Sequence, residues 1–277
     1  LTSSAHRPLR KNSPNFFKVG KTTDKATGVF SIMDSLTLIE LPVSIVVENG
    51  TSDGAFFSSI VRCFGSKELK RAENKQWLKI EHAGGKTNIP SEVRRRFIEP
   101  YDSAIASRKV FILFDSDKLH KDDVYRSKDN VEEILGMCNQ NVLRYHCLFK
   151  RKIENYLSIG ALKSLPGING VNPAPYLDAY SRLALEARDY YDLRMGFLGK
   201  GEVPKSQKSI FPAEFRSGNP DFDLLRNGFK EILGELYFAF GDQTNVNANS
   251  FRSICKHHPA NAQDELDFII CQISEML

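Results

Sequence analysis

Apolar and polar positions alternate along the chain in two rhythms. Short apolar stretches occupy residues 41–47, 77–82, 109–114 and 142–149, nearly continuous in the first and third and broken by polar residues in the second and fourth. Runs of this length predict strands, and the third, Val110-Phe111-Ile112-Leu113-Phe114, reads as one buried on both faces. Between the runs the apolar period lengthens. Phe56, Phe57, Ile60, Val61 and Phe64 form a stripe that predicts a helix beginning at Asp53, with Thr51 or Ser52 to cap it. Asn88 and Pro90 open a second helix reaching about Ser107, and a third is expected over 130–139 after a polar loop at 118–128. Strands alternating with helices predict an α/β fold, a Rossmann-like, parallel-rich sheet with helices on both faces.

Beyond Glu154 the rhythm changes. Pro166-Gly167, Gly170, Pro173 and Pro175 punctuate a loop, and helices are predicted over 176–191, 221–240 and 263–277. The Gly-, Lys- and Ser-rich stretch 199–218 between the first two reads as a mobile loop. The apolar stripe Leu266, Ile269, Ile270, Ile273 and Leu277 of the last helix reads as core packing. The expected organisation is a basic lead-in over 1–40, an α/β unit over 41–160 and a helical region over 161–277.

Charge changes this picture locally. The 277 residues carry a net charge of only +4, so no sweeping polycation is present. Residues 1–28, however, hold six Lys/Arg against the single Asp24, and Arg94-Arg95-Arg96 and Lys150-Arg151-Lys152 form basic clusters. Such patches fit a phosphate-rich partner or an ordinary solvated surface. The five cysteines include no Cys-x-x-Cys, which predicts free thiols in a reducing cytoplasm. No apolar run approaches the roughly 18 residues of a membrane span. Two glycine-lysine-threonine turns, at Gly20 and Gly85, lack the first glycine of a phosphate-binding loop; Asn15 and Ile80 stand there instead.

The candidate chemistry lies where the strands end. Glu48 follows the first strand and Asp53 opens the next helix. Gly84-Gly85-Lys86 follows the second strand, Asp115-x-Asp117 the third, and Glu154 comes after Lys150-Arg151-Lys152. Open α/β sheets bind ligands at the carboxyl ends of their strands. Carboxylates converging there repel one another unless a cation neutralises them, and their hard oxygens suit Mg²⁺ or Mn²⁺. Lys86 in a glycine turn can meet a phosphate, and Lys150, Arg151 and Lys152 can track a nucleic-acid backbone. His82 reads as structural, and the adjacent His257 and His258 as surface residues. Tyr145, Tyr156, Tyr190 and Tyr191 read as packing rather than base-stacking platforms.

Taken together, Val46-Val47-Glu48-Asn49-Gly50-Thr51-Ser52-Asp53, His82-Ala83-Gly84-Gly85-Lys86, Phe114-Asp115-Ser116-Asp117 and Arg151-Lys152-Ile153-Glu154-Asn155-Tyr156-Leu157 resemble the motifs of a Toprim domain. Within that family the chain looks most like the overcoming-lysogenization-defect nucleases and the stand-alone Toprim effectors of bacterial anti-phage systems. Tyr190-Tyr191-Asp192-Leu193-Arg194 is similar to a later motif of the group. The resemblance spans about residues 41–200. It implies a Mg²⁺-dependent endonuclease of DNA or RNA, tRNA among the options, in which two ions are held by Glu48, Asp53, Asp115, Asp117 and Glu154. Catalysis would rest on Glu48, Asp115, Asp117, Glu154 and Lys86, with Lys86, Arg194 and Lys200 meeting the nucleic acid. It also implies self-association and control by a separate ATPase subunit. Two departures stand out: Glu48 and Asp53 are five residues apart where four is usual, and Arg194 replaces a lysine that Lys200 could supply. A metal- or phosphate-binding module that cuts nothing is the competing expectation.

Overall fold

A computed structural model describes residues 17–24, 27–123, 128–242, 244–255 and 265–277. Its centre is a four-stranded sheet in which every pairing is parallel. The order is β4 (Leu78–His82), β3 (Val43–Val47), β5 (Val110–Phe114) and β6 (Arg144–Cys147). All five residues of β3 and all five of β5 are buried, as their unbroken apolar runs require of central strands covered on both faces.

Odd and even positions of the two central strands feed different cores. Val43, Ile45, Val47, Phe111 and Leu113 pack on α2 (Ser52–Phe64) through Phe56, Phe57, Ile60 and Val61. Val46, Val110, Ile112 and Phe114 face the opposite layer. That layer is built from α4 (Ile89–Val93), α5 (Glu99–Lys109) and α6 (Lys128–Asn141). A π-helical turn, Arg94–Ile98, joins α4 to α5, so the expected single helix is present but locally under-wound. The fold is therefore α/β, with a parallel sheet sandwiched between helices.

Several elements depart from the pattern read along the chain. Residues 29–40 are not lead-in. Parallel strands β1 (Lys18–Gly20) and β2 (Val29–Ser31) precede α1 (Ile32–Glu40), whose N-terminus is capped by the Ser31 hydroxyl accepting from Asp34 N–H. A short polar helix, α3 (Lys67–Asn74), follows α2. Residues 176–191 break into α8 (Ala174–Arg182) and α9 (Leu185–Tyr190), because Leu183 and Ala184 are extended. Residues 221–240 break into α10 (Pro220–Leu225), α11 (Lys230–Leu233) and a 3₁₀ segment, Leu236–Gly241, at the left-handed Gly228 and Gly234. The remaining helices are α7 (Ile159–Lys163), α12 (Ala248–Cys255) and α13 (Glu265–Ser274).

Stretch 199–218, expected as a mobile loop, is anchored to the core at several points. Phe211 and Phe215 are buried in a ring cluster with Phe197 and Phe222, and Gln207 donates to the carbonyls of Leu119 and Tyr190. The apolar residues of the C-terminal half, down to Met276, belong to the same core as β3 and α2. Cys63, Cys138, Cys147 and Cys271 are free thiols, and no helix among the described residues is long and apolar enough to cross a membrane. Residues 1–16 of the basic segment, together with His257 and His258, lie outside the described residues.

Candidate functional site: a carboxylate cluster around Lys86

The parallel register brings the ends of β3, β4 and β5 to one edge of the sheet, and the chain leaving β6 returns beneath it. Val47 pairs with His82, Val46 with Ile112, and Phe114 with Cys147. The next residues out are Glu48, the Gly84-Gly85 turn, Asp115 and the loop leading to Glu154. Backbone hydrogen bonds then stitch these loops together. Ala83 N–H reaches Val47 C=O at 2.9 Å, Gly85 N–H reaches Glu48 C=O at 2.9 Å, and Asp117 N–H reaches Arg151 C=O at 2.9 Å. Gly85 has φ 119°, a conformation that side chains avoid, which is why a glycine stands where the chain turns Lys86 inward.

Lys86 is the centre of the cluster. It is 7% exposed, its Nζ lies 2.5 Å from Asp117 Oδ2 and 3.5 Å from Glu48 Oε1, and those charges raise its pKa against the opposing effect of burial. Glu48 Oε1 also accepts from Asp115 N–H at 2.9 Å, so the acid at the end of β3 is tied to the end of β5. Burial pushes the Glu48 carboxyl up to about 7, despite Lys86, with Asp53 and Asp117 adding repulsion. Asp115 is held by Ile153 N–H, which donates to Oδ1 at 3.0 Å. Burial, then Glu48, Asp53 and Glu154, raise its pKa well above the ordinary carboxylate range. Asp117 takes a left-handed φ of 54°, a conformation that aspartate tolerates better than most residues. Five carboxylates thus share one neighbourhood with a single buried ammonium.

The other residues singled out from the sequence fall into two groups. Asp53 is buried, and both its oxygens serve the turn that carries Glu48. Oδ2 accepts from Asn49 N–H at 2.9 Å and Oδ1 from the Ser52 hydroxyl at 3.0 Å. Neither Thr51 nor Ser52 caps α2 with its side chain; their N–H groups donate instead to Asn49 Oδ1. Glu154 is buried, its carboxyl pushed up by burial and by Asp192 and pulled down by Lys152 and Arg194. It lines a cavity of about 240 Å³ with exposed Arg194 and with Tyr237. A second cavity of about 470 Å³, lined by Glu48, exposed His82 and the Gly84-Gly85 turn, adjoins it, the two sharing Asn49 and Thr51. The backbone crossing of Gly196 and Gly228, both left-handed, pins the Arg194 turn in place, since a Cβ on Gly196 would lie 2.4 Å from Gly228 N.

Lys150 and Arg151 do not track a nucleic-acid backbone. Lys150 is fully buried, with Nζ 2.5 Å from Asp189 Oδ1 and 3.2 Å from the Asn155 carbonyl. Arg151 is buried against Asp192 Oδ2 at 2.9 Å and the Tyr190 carbonyl at 3.2 Å. Lys152 shares Asp192 at 3.2 Å and remains partly exposed, and Lys200 is exposed. The triplet is an internal brace: its backbone carbonyls hold Asp117 N–H and the Ser116 hydroxyl, and its side chains clamp α9 and the Asp192 turn. Nothing in the sequence signals Asp189, or the pairing of Asp192 with the triplet, because the partners lie about 40 residues earlier.

The donor set around Lys86 is oxygen only, which suits a hard divalent cation. Its side chains are spread around the ammonium rather than converged: among the described residues, no group of three or more His, Cys, Asp or Glu is arranged to hold a metal ion. Comparison with protein-family models, with curated proteins and with solved structures gives no match to this chain.

Proposed function

We propose that this chain is a Toprim-type, Mg²⁺- or Mn²⁺-dependent endonuclease that hydrolyses nucleic-acid phosphodiesters. The observation that carries the reading is the gathering of Glu48, Asp115 and Asp117 from two strand ends around Lys86, with Glu154 beside Asp115, at the carboxyl edge of a parallel sheet. Carboxyl groups raised together by burial and mutual repulsion are groups that a cation would relieve. Glu48, Asp115 and Asp117 would hold one ion, and Glu154 with Asp53 a second. An ion held there would supply a water activated for attack and charge stabilisation at the leaving oxygen.

The chain's own residues do the positioning. Lys86 stays charged and offers its ammonium to a phosphate oxygen in exchange for Asp117. Asp115 and Glu48 are fixed by backbone N–H contacts and by each other. Arg194, exposed beside Glu154, meets the phosphate of a neighbouring nucleotide. The resemblance that motivates the reading extends it to a cytoplasmic anti-phage effector, self-associating and gated by an ATPase partner. The sequence contains no complete phosphate-binding loop, and in this reading any ATP dependence comes from that partner.

A second reading has its own observation. The 2.5 Å Lys86–Asp117 pair and the unconverged acids suit a module that binds a cation or phosphate and cuts nothing. One experiment separates the two. Labelled plasmid, single-stranded DNA and total tRNA are incubated with the protein in Mg²⁺, Mn²⁺ or EDTA, beside Glu48→Ala and Asp115→Ala. The nuclease cuts only with metal, and each variant loses activity by about a hundredfold or more. Cutting that survives in both variants places the chemistry elsewhere. No cutting, with a Mg²⁺-dependent rise in Tm that Asp115→Ala abolishes, supports the binding module.

A further inference from the structure

A large cavity lies at the other end of the sheet. It encloses about 600 Å³ between α1, the end of α5, the start of β6 and the segment after α13. Lys109 on its wall and Asp115 at the carboxylate cluster bracket β5. Six strand steps of about 3.3 Å separate the two residues by about 20 Å. Nothing in the proposed nuclease chemistry uses it.

Its polar lining is cationic. Arg108, Lys109 and Arg144 contribute three positive side chains, Glu275 the one carboxylate side chain and Ser107 a hydroxyl. Glu275 is already engaged, its Oε2 2.8 Å from the Arg144 guanidinium, which also donates to the Gln272 carbonyl at 2.9 Å. Lys109, half-buried, has no hydrogen-bond or ion-pair partner among the described residues. Burial holds the Lys109 ammonium below its ordinary pKa, and burial together with Arg144 does the same to Arg108. A half-buried ammonium beside two guanidiniums, one paired with Glu275 and one stacked on Phe30 at 5.3 Å, is stabilised by an anion.

The remaining lining is apolar and open to solvent where it need not be. Ile39 on α1 is 70% exposed and Val142 is 77% exposed, and both stand on the cavity wall beside Phe17. Val142 also takes a left-handed φ of 55°. It is the residue that ends α6, where Leu143 N–H reaches back to Cys138 C=O at 2.9 Å and Val142 N–H to Asn139 C=O at 3.4 Å.

We propose that this cavity binds a nucleoside phosphate, the phosphates on Lys109, Arg108 and Arg144 and the base against the apolar wall of Phe17, Ile39 and Val142. The volume falls within the range of small-molecule sites, and the separation of charged floor from apolar wall matches the two ends of such a ligand.

The test is calorimetric titration of the full chain in EDTA with ADP, inorganic pyrophosphate or adenosine as probe. ADP is expected to bind one to one and more tightly than either fragment. Lys109→Gln weakens it by about tenfold or more, as the loss of a charge-assisted phosphate contact requires. Ile39→Asp, at an exposed position that leaves the core intact, weakens it similarly by placing a negative charge on the wall. Asp115→Asn leaves it unchanged, which separates this site from the carboxylate cluster. The proposal is overturned if folded wild-type protein binds no ADP, or if both wall variants bind it as well as wild type. Loss of ADP binding in Asp115→Asn would also overturn it, as would pyrophosphate binding as tightly as ADP.

Discussion

Glu48 makes the strongest statement that any one residue makes here. An unperturbed glutamate ionises near 4.5, whereas burial in this fold moves Glu48 to about 7. Between those values the folded protein keeps a proton that the unfolded chain releases. Stability therefore falls as pH rises through the window, by up to about 1.4 kcal/mol per pH unit from this group. In EDTA, the Tm of wild type should decline from pH 5 to pH 8 more steeply than that of Glu48→Gln, which cannot ionise. Mg²⁺ should restore the loss at pH 8 and do little at pH 5, where a proton already occupies the carboxyl. Scanning calorimetry of both proteins at four pH values, with and without Mg²⁺, checks this. Parallel pH slopes for the two proteins would show that Glu48 is not the source.

At the scale of elements, the segment after β6 shows what a basic triplet can conceal. Lys150 is wholly buried against Asp189, and removing one partner of a buried pair strands the other charge. Lys150→Ala is therefore expected to cost about 3–5 kcal/mol of stability, read by urea denaturation. Arg194→Ala, at an exposed position, should leave stability within about 0.5 kcal/mol while weakening nucleic-acid binding. A Lys150→Ala protein of unchanged stability would contradict the brace.

The same segment marks the limit of legibility. β3, β4, β5 and β6 were readable because an apolar run between charges is a local signal, and Glu48, Asp115, Asp117 and Lys86 were readable because they follow those runs. Lys150-Arg151-Lys152 looked like surface because Asp189 and Asp192, which neutralise it, lie on a later element. The helices beyond Glu154 were drawn too long because apolar spacing continues across Gly228 and Gly234, where the backbone turns left-handed. The Ser31 cap of α1, with Asp34 three residues on, was a readable start signal inside a stretch whose charge suggested a tail.

For the molecule as a whole, the question is whether the sheet can stand without the C-terminal half. Leu266, Ile269, Ile270 and Ile273 of α13 are all buried in the core that also holds β3 and α2. Each such side chain contributes about 1.5–3 kcal/mol, so the four together rival the 5–15 kcal/mol by which a domain is typically stable. Glu265 adds a polar tie. Its carboxylate accepts from Phe149 N–H at 2.7 Å, contacts His146 Nε2 at 2.7 Å and accepts from the Tyr156 hydroxyl, all on the segment that delivers Glu154 to the site. Pulling α13 away would expose that core face and take this partner from the buried His146 and Tyr156 side chains, each loss costing about 1–3 kcal/mol. The expected outcome is one cooperative unfolding transition for the full chain, with calorimetric and van't Hoff enthalpies equal. Deletion of residues 265–277 should abolish that transition altogether. Two separable transitions, or a fragment 41–160 that folds alone with the Tm of the whole, would mean that the helical half merely leans on the sheet. A single transition lost on deletion would mean that the position of Glu154, and with it the carboxylate cluster, depends on a helix more than a hundred residues further along the chain.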